Sequence, residues 1–272
     1  MPEPALIDIH NADIWRGNTC VFENLTLRIE QHERVAIIGP NGSGKTTLLK
    51  TINRELYPVV AENSWVRILG RERWNVWELR KHIGIVSDDL HRRYPSTTTA
   101  LEVLLSGFHA SIGVHGIIAS RVTAAQRRAA ERTLELLDIA DLANRSLRSM
   151  STGQRRRCLL GRALVHDPDT LIFDEPTAGL DLAGSFDLLD RIRALAARQR
   201  NIVIVTHLLN EIPVDVERVI LLDQGLIAAD GAKADVLVPD ILSAVYRTEI
   251  RVASVDGYYL AYPGEATKAV KT

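Results

Sequence analysis

The run Gly39-Pro40-Asn41-Gly42-Ser43-Gly44-Lys45-Thr46-Thr47 constrains this chain more than any other stretch. It lies between the apolar segment Val35-Ala36-Ile37-Ile38 and a helical pattern opening at Leu48-Leu49-Lys50. Strand, glycine-rich turn and helix, in that order, are what a phosphate-binding loop requires. Glycines let the backbone turn tightly and present successive N–H groups to phosphate oxygens. The helix that follows adds unpaired donors and a favourable dipole. In such a loop Lys45 reaches the β- and γ-phosphates and Thr46 offers its hydroxyl to Mg²⁺. A glycine-rich turn with no ligand is the plainer alternative.

The rest of the chain falls into an order that suits this loop. Leu25, Leu27 and Ile29 alternate with Thr26, Arg28 and Glu30, so residues 5–30 read as short antiparallel strands, with Trp15 in the loop between two of them. Trp65 to Leu69 is a further strand, Trp74 to Arg80 a helical turn and Ile83 to Val86 a buried strand. Residues 97–149 turn helical, with Leu101, Leu104 and Leu105 at helical spacing. A capping box at Thr123 and Gln126 starts a helix running to Ile139. Ser151-Thr152-Gly153-Gln154 opens another, from Arg155 to His166. Leu171-Ile172-Phe173, Ile202 to Val205 and Val219 to Leu222 are continuous apolar runs of the kind found in central parallel strands. Between the first two, Leu188, Ile192, Leu195 and Ala196 mark one face of a helix. Strands alternating with helices argue an α/β fold with a parallel sheet covered on both faces and ligands at the strand carboxyl ends. The tail, Ile250 to Leu260 around Asp256-Gly257, reads as a small hairpin.

Composition narrows the function. The chain has 33 Lys and Arg against 34 Asp and Glu, so no global field favours nucleic acid or anionic membrane. No apolar run approaches the roughly 20 residues that span a bilayer, and the N-terminus lacks a signal-peptide pattern. A cytoplasmic protein is expected. Cys20 and Cys158 stand far apart outside any metal or redox spacing and read as structural. His109 and His115 lack a third ligand at diagnostic spacing.

The strand Leu171 to Phe173 ends in Asp174-Glu175. Asp174 suits a Mg²⁺ held through water beside the phosphate loop, and Glu175 suits the orientation or deprotonation of a water attacking the γ-phosphate. A surface pair or helix cap is the simpler reading of two such acids taken alone.

With these residues in hand the chain resembles the ATP-binding cassette family, specifically the ATPase subunits of ABC transporters. Ser151-Thr152-Gly153-Gln154 stands where the family has its Leu-Ser-Gly-Gly-Gln signature, with Met150 for Leu and Thr152 for Gly. Ala178-Gly179-Leu180-Asp181 is similar to the family's D-loop and Thr206-His207 to its switch histidine. The resemblance covers residues 5 to about 235. It implies a P-loop NTPase (RecA-like), mostly parallel sheet core with an N-terminal antiparallel β subdomain and an inserted α-helical signature subdomain. The division would be an ABC ATPase domain over 5–237, its helical subdomain over about 89–158, and a C-terminal extension over 238–272.

The resemblance also implies chemistry. Two copies would pack head to tail, each ATP lying between the phosphate loop, Gly39 to Thr47, of one and Ser151, Gly153 and Gln154 of the other. Glu175, His207 and Lys45 would be catalytic, with Trp15 stacking on adenine and Asp181 communicating between copies. Thr46, Asp174 and Asp88 would face Mg²⁺. Asp88 departs from the family, which has Gln there. A carboxylate cannot donate as an amide does and adds negative charge near triphosphate. The implied partners are a second copy, integral membrane permease subunits at the cytoplasmic face and, indirectly, a substrate-binding protein. The tail Val245 to Pro263 is similar to that of importer ATPases for iron chelates and cobalamin, whereas Ser87-Asp88 and Ser106-Gly107 look more like molybdate-type relatives. The resemblance therefore leaves the cargo open, with import of a metal complex or an oxyanion as the expectation. A soluble cassette ATPase acting on ribosomes or nucleic acid, or a nucleotide-gated module with weak turnover, are the alternatives.

Overall fold

Patterned strands come first along the chain and helices collect in its middle, and that distribution sets the architecture. The structure is a computed structural model and describes residues 3–87, 90 and 93–264. The chain divides into two compact units, Met1–Arg73 with Ile204–Thr272, and Trp74–Val203.

The first unit opens with β1 (Ile7–Arg16), β2 (Thr19–Ile29), β3 (Arg34–Ile38), α1 (Lys45–Ile52) and β4 (Trp65–Ile68). β1 lies between β2 and β4, antiparallel to both. Its inward residues Ile7, Ile9, Ala12 and Ile14 are buried, as are Phe22, Leu25, Leu27 and Ile29 of β2. These are two long strands rather than the several short ones expected. Trp15, expected in a loop, lies within β1 opposite Cys20. The pairing slips register three times between Ile9 and Trp15, and Asn11 turns left-handed at φ 45°. Such bulges interrupt the alternation that marks a single strand.

The second unit holds α2 (Val76–His82), β5 (Ile83–Val86), α3 (Ala100–Phe108), α4 (Ile117–Arg121), α5 (Ala124–Leu136), α6 (Thr152–Leu164), β6 (Thr170–Asp174) and α7 (Leu182–Ala196). β5 and β6 pair in parallel, Gly84 beside Leu171 and Val86 beside Phe173. Capping boxes start α3, α5 and α6, pairing Thr99 with Glu102, Thr123 with Gln126, and Ser151 with Gln154. α5 ends three residues before the expected Ile139. Asp138 turns left-handed at φ 53°, with Asp138 N–H donating to Glu135 O and Ile139 N–H to Leu134 O. That pair of bonds is a Schellman stop.

β7 (Asn201–Thr206) leads the chain back to the first unit, which ends with β8 (Arg218–Asp223), β9 (Leu226–Ala232), α8 (Lys233–Val236), α9 (Pro239–Tyr246), β10 (Ile250–Val255) and β11 (Tyr258–Pro263). β8 pairs in parallel with β3 and antiparallel with β9. β10 and β11 form the tail hairpin, turning at Asp256 (φ 51°) and Gly257 (φ 81°). Both residues then have the positive φ that a tight hairpin turn of the primed type demands. Val35 to Ile38, Leu171 to Phe173, Val203 to Val205 and Val219 to Leu222 are fully buried, the burial on both faces that continuous apolar strands require.

Candidate functional site

In the first unit the glycine-rich run leaves β3 and enters α1 with little freedom. Gly39 sits at φ 153° and a Cβ there would lie 2.3 Å from the Leu222 carbonyl oxygen. Gly44, at φ 112°, would meet the Phe22 ring at 2.6 Å. Side chains are excluded at both positions, so backbone lines the loop. Lys45 is buried and its ammonium donates to Gly39 O at 2.6 Å and Pro40 O at 3.0 Å. Ser43 Oγ is buried without a hydrogen-bond partner. Its carbonyl accepts from Gly225 N–H in the β8–β9 turn at 3.1 Å. An orphaned hydroxyl, a folded-back ammonium and a helix N-terminus with no acidic residue in its first turn make a cradle that fits a phosphate. Asn41, Gly42 and Thr46 are exposed and Thr47 is buried.

The same unit carries Trp15, 45% exposed at the end of β1. It also carries His207, exposed directly beyond β7. The residue before it is tightly held, since Thr206 Oγ1 donates to the buried Glu211 carboxylate and accepts from Leu208 N–H at 2.9 Å.

In the second unit β6 ends at Asp174, and Glu175 follows at φ 47°. A left-handed glutamate is a strained position of the kind that clusters at working sites. Arg156 of α6, 3% exposed, donates to Glu175 O at 3.4 Å and Ala178 O at 3.2 Å, holding this backbone in place. Sequence reasoning passed over Arg156. Its signal is there: it shares the inward face of α6 with Leu159, Leu160 and Ala163, which are all buried, and a charge on an apolar face needs a partner. Ser151 is the N-cap of α6, so the helix starts at Thr152 and not at the expected Arg155. Its hydroxyl accepts from Gln154 N–H at 3.2 Å, while Gln154 Oε1 accepts from Ser151 N–H at 2.9 Å. Gln154 is therefore occupied in closing the cap. Gly153 has open space where a Cβ would stand. Asp181 caps α7, accepting from Gly184 N–H at 2.8 Å.

The structure thus gathers the phosphate loop, Trp15 and His207 in one unit, and Asp174, Glu175, Ser151, Gly153 and Gln154 in the other. Asp88 lies outside the described residues. Among the described residues no cluster of three or more His, Cys, Asp or Glu could hold a metal alone. Thr46 and Asp174 are hard oxygen donors of the type that bind Mg²⁺ together with substrate phosphates. Among the described residues no helix is long and apolar enough to cross a membrane.

Comparison with known proteins bears on the family and the fold. The family profile described as ABC transporter matches residues 22–178. The ABC transporter ATP-binding protein YlmA of Bacillus subtilis (strain 168) is 32% identical over 91% of this chain and 93% of its own length. The hemin import ATP-binding protein HmuV of Escherichia coli O157:H7 is 32% identical over 85% of this chain and 88% of its own. A solved structure, a metal-chelate type ABC transporter in an inward-facing conformation, superposes with a TM-score of 0.74 over 95% of this chain and 96% of that one. At 22% identity that likeness speaks to the fold, a P-loop NTPase with a mostly parallel sheet core. The chain belongs to the ABC transporter family as an ATP-binding subunit, an ATPase coupled to transport.

Proposed function

We propose that this chain hydrolyses ATP at two sites shared by a head-to-tail pair of copies and so drives import of a metal complex or an oxyanion through permease subunits at the cytoplasmic face. The observation that carries the reading is the phosphate cradle, where Gly39 and Gly44 admit no side chain and Ser43 Oγ lacks a partner. The exposed α6 N-terminus at Ser151 and Thr152 supports sharing, because its first N–H groups have no partner within the helix and can complete a second copy's phosphate site. Import of a metal complex is supported by a relative named for hemin import and by a structural neighbour of metal-chelate type.

In this reading Lys45 exchanges its two carbonyl acceptors for phosphate oxygens, gaining charge-assisted bonds in place of neutral ones. Trp15 offers an exposed face for the adenine ring. Glu175, held by Arg156 through its backbone, takes the proton of the attacking water, and His207 orients that water and the γ-phosphate. Asp174, Thr46 and Asp88 would hold Mg²⁺, which when bound neutralises charge developing on the phosphates. The domain division is a cassette over 5–237, with a helical insert over about 89–158, and an extension from 238 onward. A substrate-binding protein on the far side of the permease completes the import assembly.

The test is capture of the tagged full-length chain from membranes of its native host, followed by transport assay of the purified complex. Co-purification of an integral membrane permease is expected, with ATP-driven uptake of a metal chelate or oxyanion that Lys45→Ala abolishes. Capture of ribosomes instead, with turnover stimulated by RNA, would overturn it.

A further inference from the structure

The tail hairpin meets the rest of the first unit at the segment that follows His207, through a buried lysine. Lys233, at the start of α8, is 9% exposed. Its ammonium donates to Pro213 O at 3.1 Å, Val214 O at 2.9 Å and Gly257 O at 3.4 Å. Three carbonyls thus take up all three donors of one ammonium. Two belong to the chain just after His207 and the third to the turn of the hairpin. The Tyr259 ring of β11 lies 5.7 Å from the same nitrogen. Contact at the turn is close, since a Cβ on Gly257 would stand 3.3 Å from Val214 Cγ1. β11 itself packs against the 3-10 turn Leu209–Glu211.

That turn is also fixed from its other end. Glu211 is 1% exposed and takes the Thr206 hydroxyl, so residues 206–211 form a closed loop in which His207 is exposed. Residues 212–213 are buried and lead directly to the carbonyls that Lys233 binds. We propose that Lys233 is a positioning residue for ATP hydrolysis, clasping the C-terminal hairpin onto the 207–214 segment and thereby holding His207 in its working place. The proposal rests on the role given to His207 above.

The cost of the clasp argues for its use. Burial pushes the Lys233 ammonium below the ordinary lysine pKa, with only Asp215 offsetting the shift. An apolar side chain would anchor a hairpin without that penalty. What an apolar side chain cannot do is fix three particular carbonyls at once, and fixing the backbone of the segment that follows His207 is what the ammonium achieves.

The experiment compares Lys233→Met, Lys233→Arg and His207→Ala in the full-length protein. Lys233→Met is expected to lower kcat by about fivefold or more, with ATP affinity and binding stoichiometry unchanged. Lys233→Arg recovers part of the loss, which a general loss of folded protein would not allow. Wild-type kcat in Lys233→Met, with turnover abolished in His207→Ala, overturns the clasp and leaves the His207 reading standing. Full turnover in His207→Ala overturns that reading and the clasp with it. Hydrogen exchange on the wild-type chain covers a Lys233→Met variant that does not fold. A non-hydrolysable ATP analogue is expected to slow exchange at 256–258 together with 207–214, and no slowing at 256–258 overturns the proposal.

Discussion

At the scale of single residues, this chain places charge and thiols where burial makes them expensive, and one consequence is measurable. Cys158 is fully buried on α6, its thiol 3.7 Å from Met150 Sδ, and burial pushes its pKa from 9.0 up to about 12. Burial penalises the thiolate, so between about pH 9 and 12 the folded chain keeps a proton that the unfolded chain releases. The contribution of this site is therefore intact below the ordinary thiol range and drains away as pH rises toward 12. Tyr246, pushed from 10.0 up to about 12 by burial, adds to the same alkaline loss from a higher starting pH. Urea unfolding followed from about pH 8 to about pH 11 is expected to show stability falling in wild type and falling less steeply in Cys158→Ala. Equal slopes would show that Cys158 ionises as freely in the folded chain as in the unfolded one. Thiol labelling of the folded protein is expected to modify Cys20, which is exposed, well before Cys158. The burial of Cys158 was legible from the usual burial of free cysteine, whereas Cys20, expected to share it, is exposed. Arg156 was legible from its helical spacing to Leu159, Leu160 and Ala163 but was passed over, and the left-handed Glu175 was not legible, because backbone handedness leaves no mark on a glutamate.

At the scale of elements, the strands and helices that bury continuous or periodic apolar runs were legible, and those held by pairing alone were not. β3, β6, β7 and β8 each announce themselves as unbroken apolar segments. β9 does not: Leu226-Ile227-Ala228-Ala229-Asp230-Gly231-Ala232 is built largely from poor strand formers. It forms because β8 supplies its hydrogen bonds and because Gln224 (φ 48°) and Gly225 (φ 78°) make the reversal. That turn has a second duty, since Gly225 N–H braces the phosphate loop through Ser43 O. A Cβ on Gly225 would fall 1.8 Å from Val21 O, an overlap with backbone that only a shift of the turn relieves. Gly225→Ala is thus expected to destabilise the protein by more than the roughly 1–3 kcal/mol of left-handed strain and to weaken ATP binding. Gly116→Ala, at φ 54° with open space around it, carries the strain without the overlap and serves as the control. Melting temperature and nucleotide affinity measured on both variants decide the matter. Unchanged ATP affinity in Gly225→Ala would show that the turn does not support the loop.

At the scale of the whole molecule, the question is what joins two copies. A formal net charge of −1 offers no long-range attraction or repulsion between identical chains, so association has to come from local contacts and from the nucleotide. The exposed cap at Ser151 and the phosphate cradle at Gly39 to Thr47 are each incomplete as a triphosphate site, one a set of donors without a binding loop, the other a loop open on one side to solvent at Asn41 and Gly42. ATP bound between two copies would satisfy both, and the free energy of dimerisation would then grow with nucleotide concentration as binding linkage requires. In that proposal hydrolysis would remove the shared γ-phosphate and with it the differential affinity that favours the closed pair. Glu175→Gln keeps the shape of the side chain while removing the proposed base, so its complex with Mg²⁺ and ATP is expected to sediment as a dimer, where the same variant with ADP sediments as a monomer. Adding Ser151→Arg to Glu175→Gln sets a bulky cation at the cap and is expected to abolish the dimer while each chain still binds ATP through its own loop. A dimer that survives Ser151→Arg, or that forms equally with ADP, would mean that the copies meet through some other face and that the triphosphate is not what holds them together.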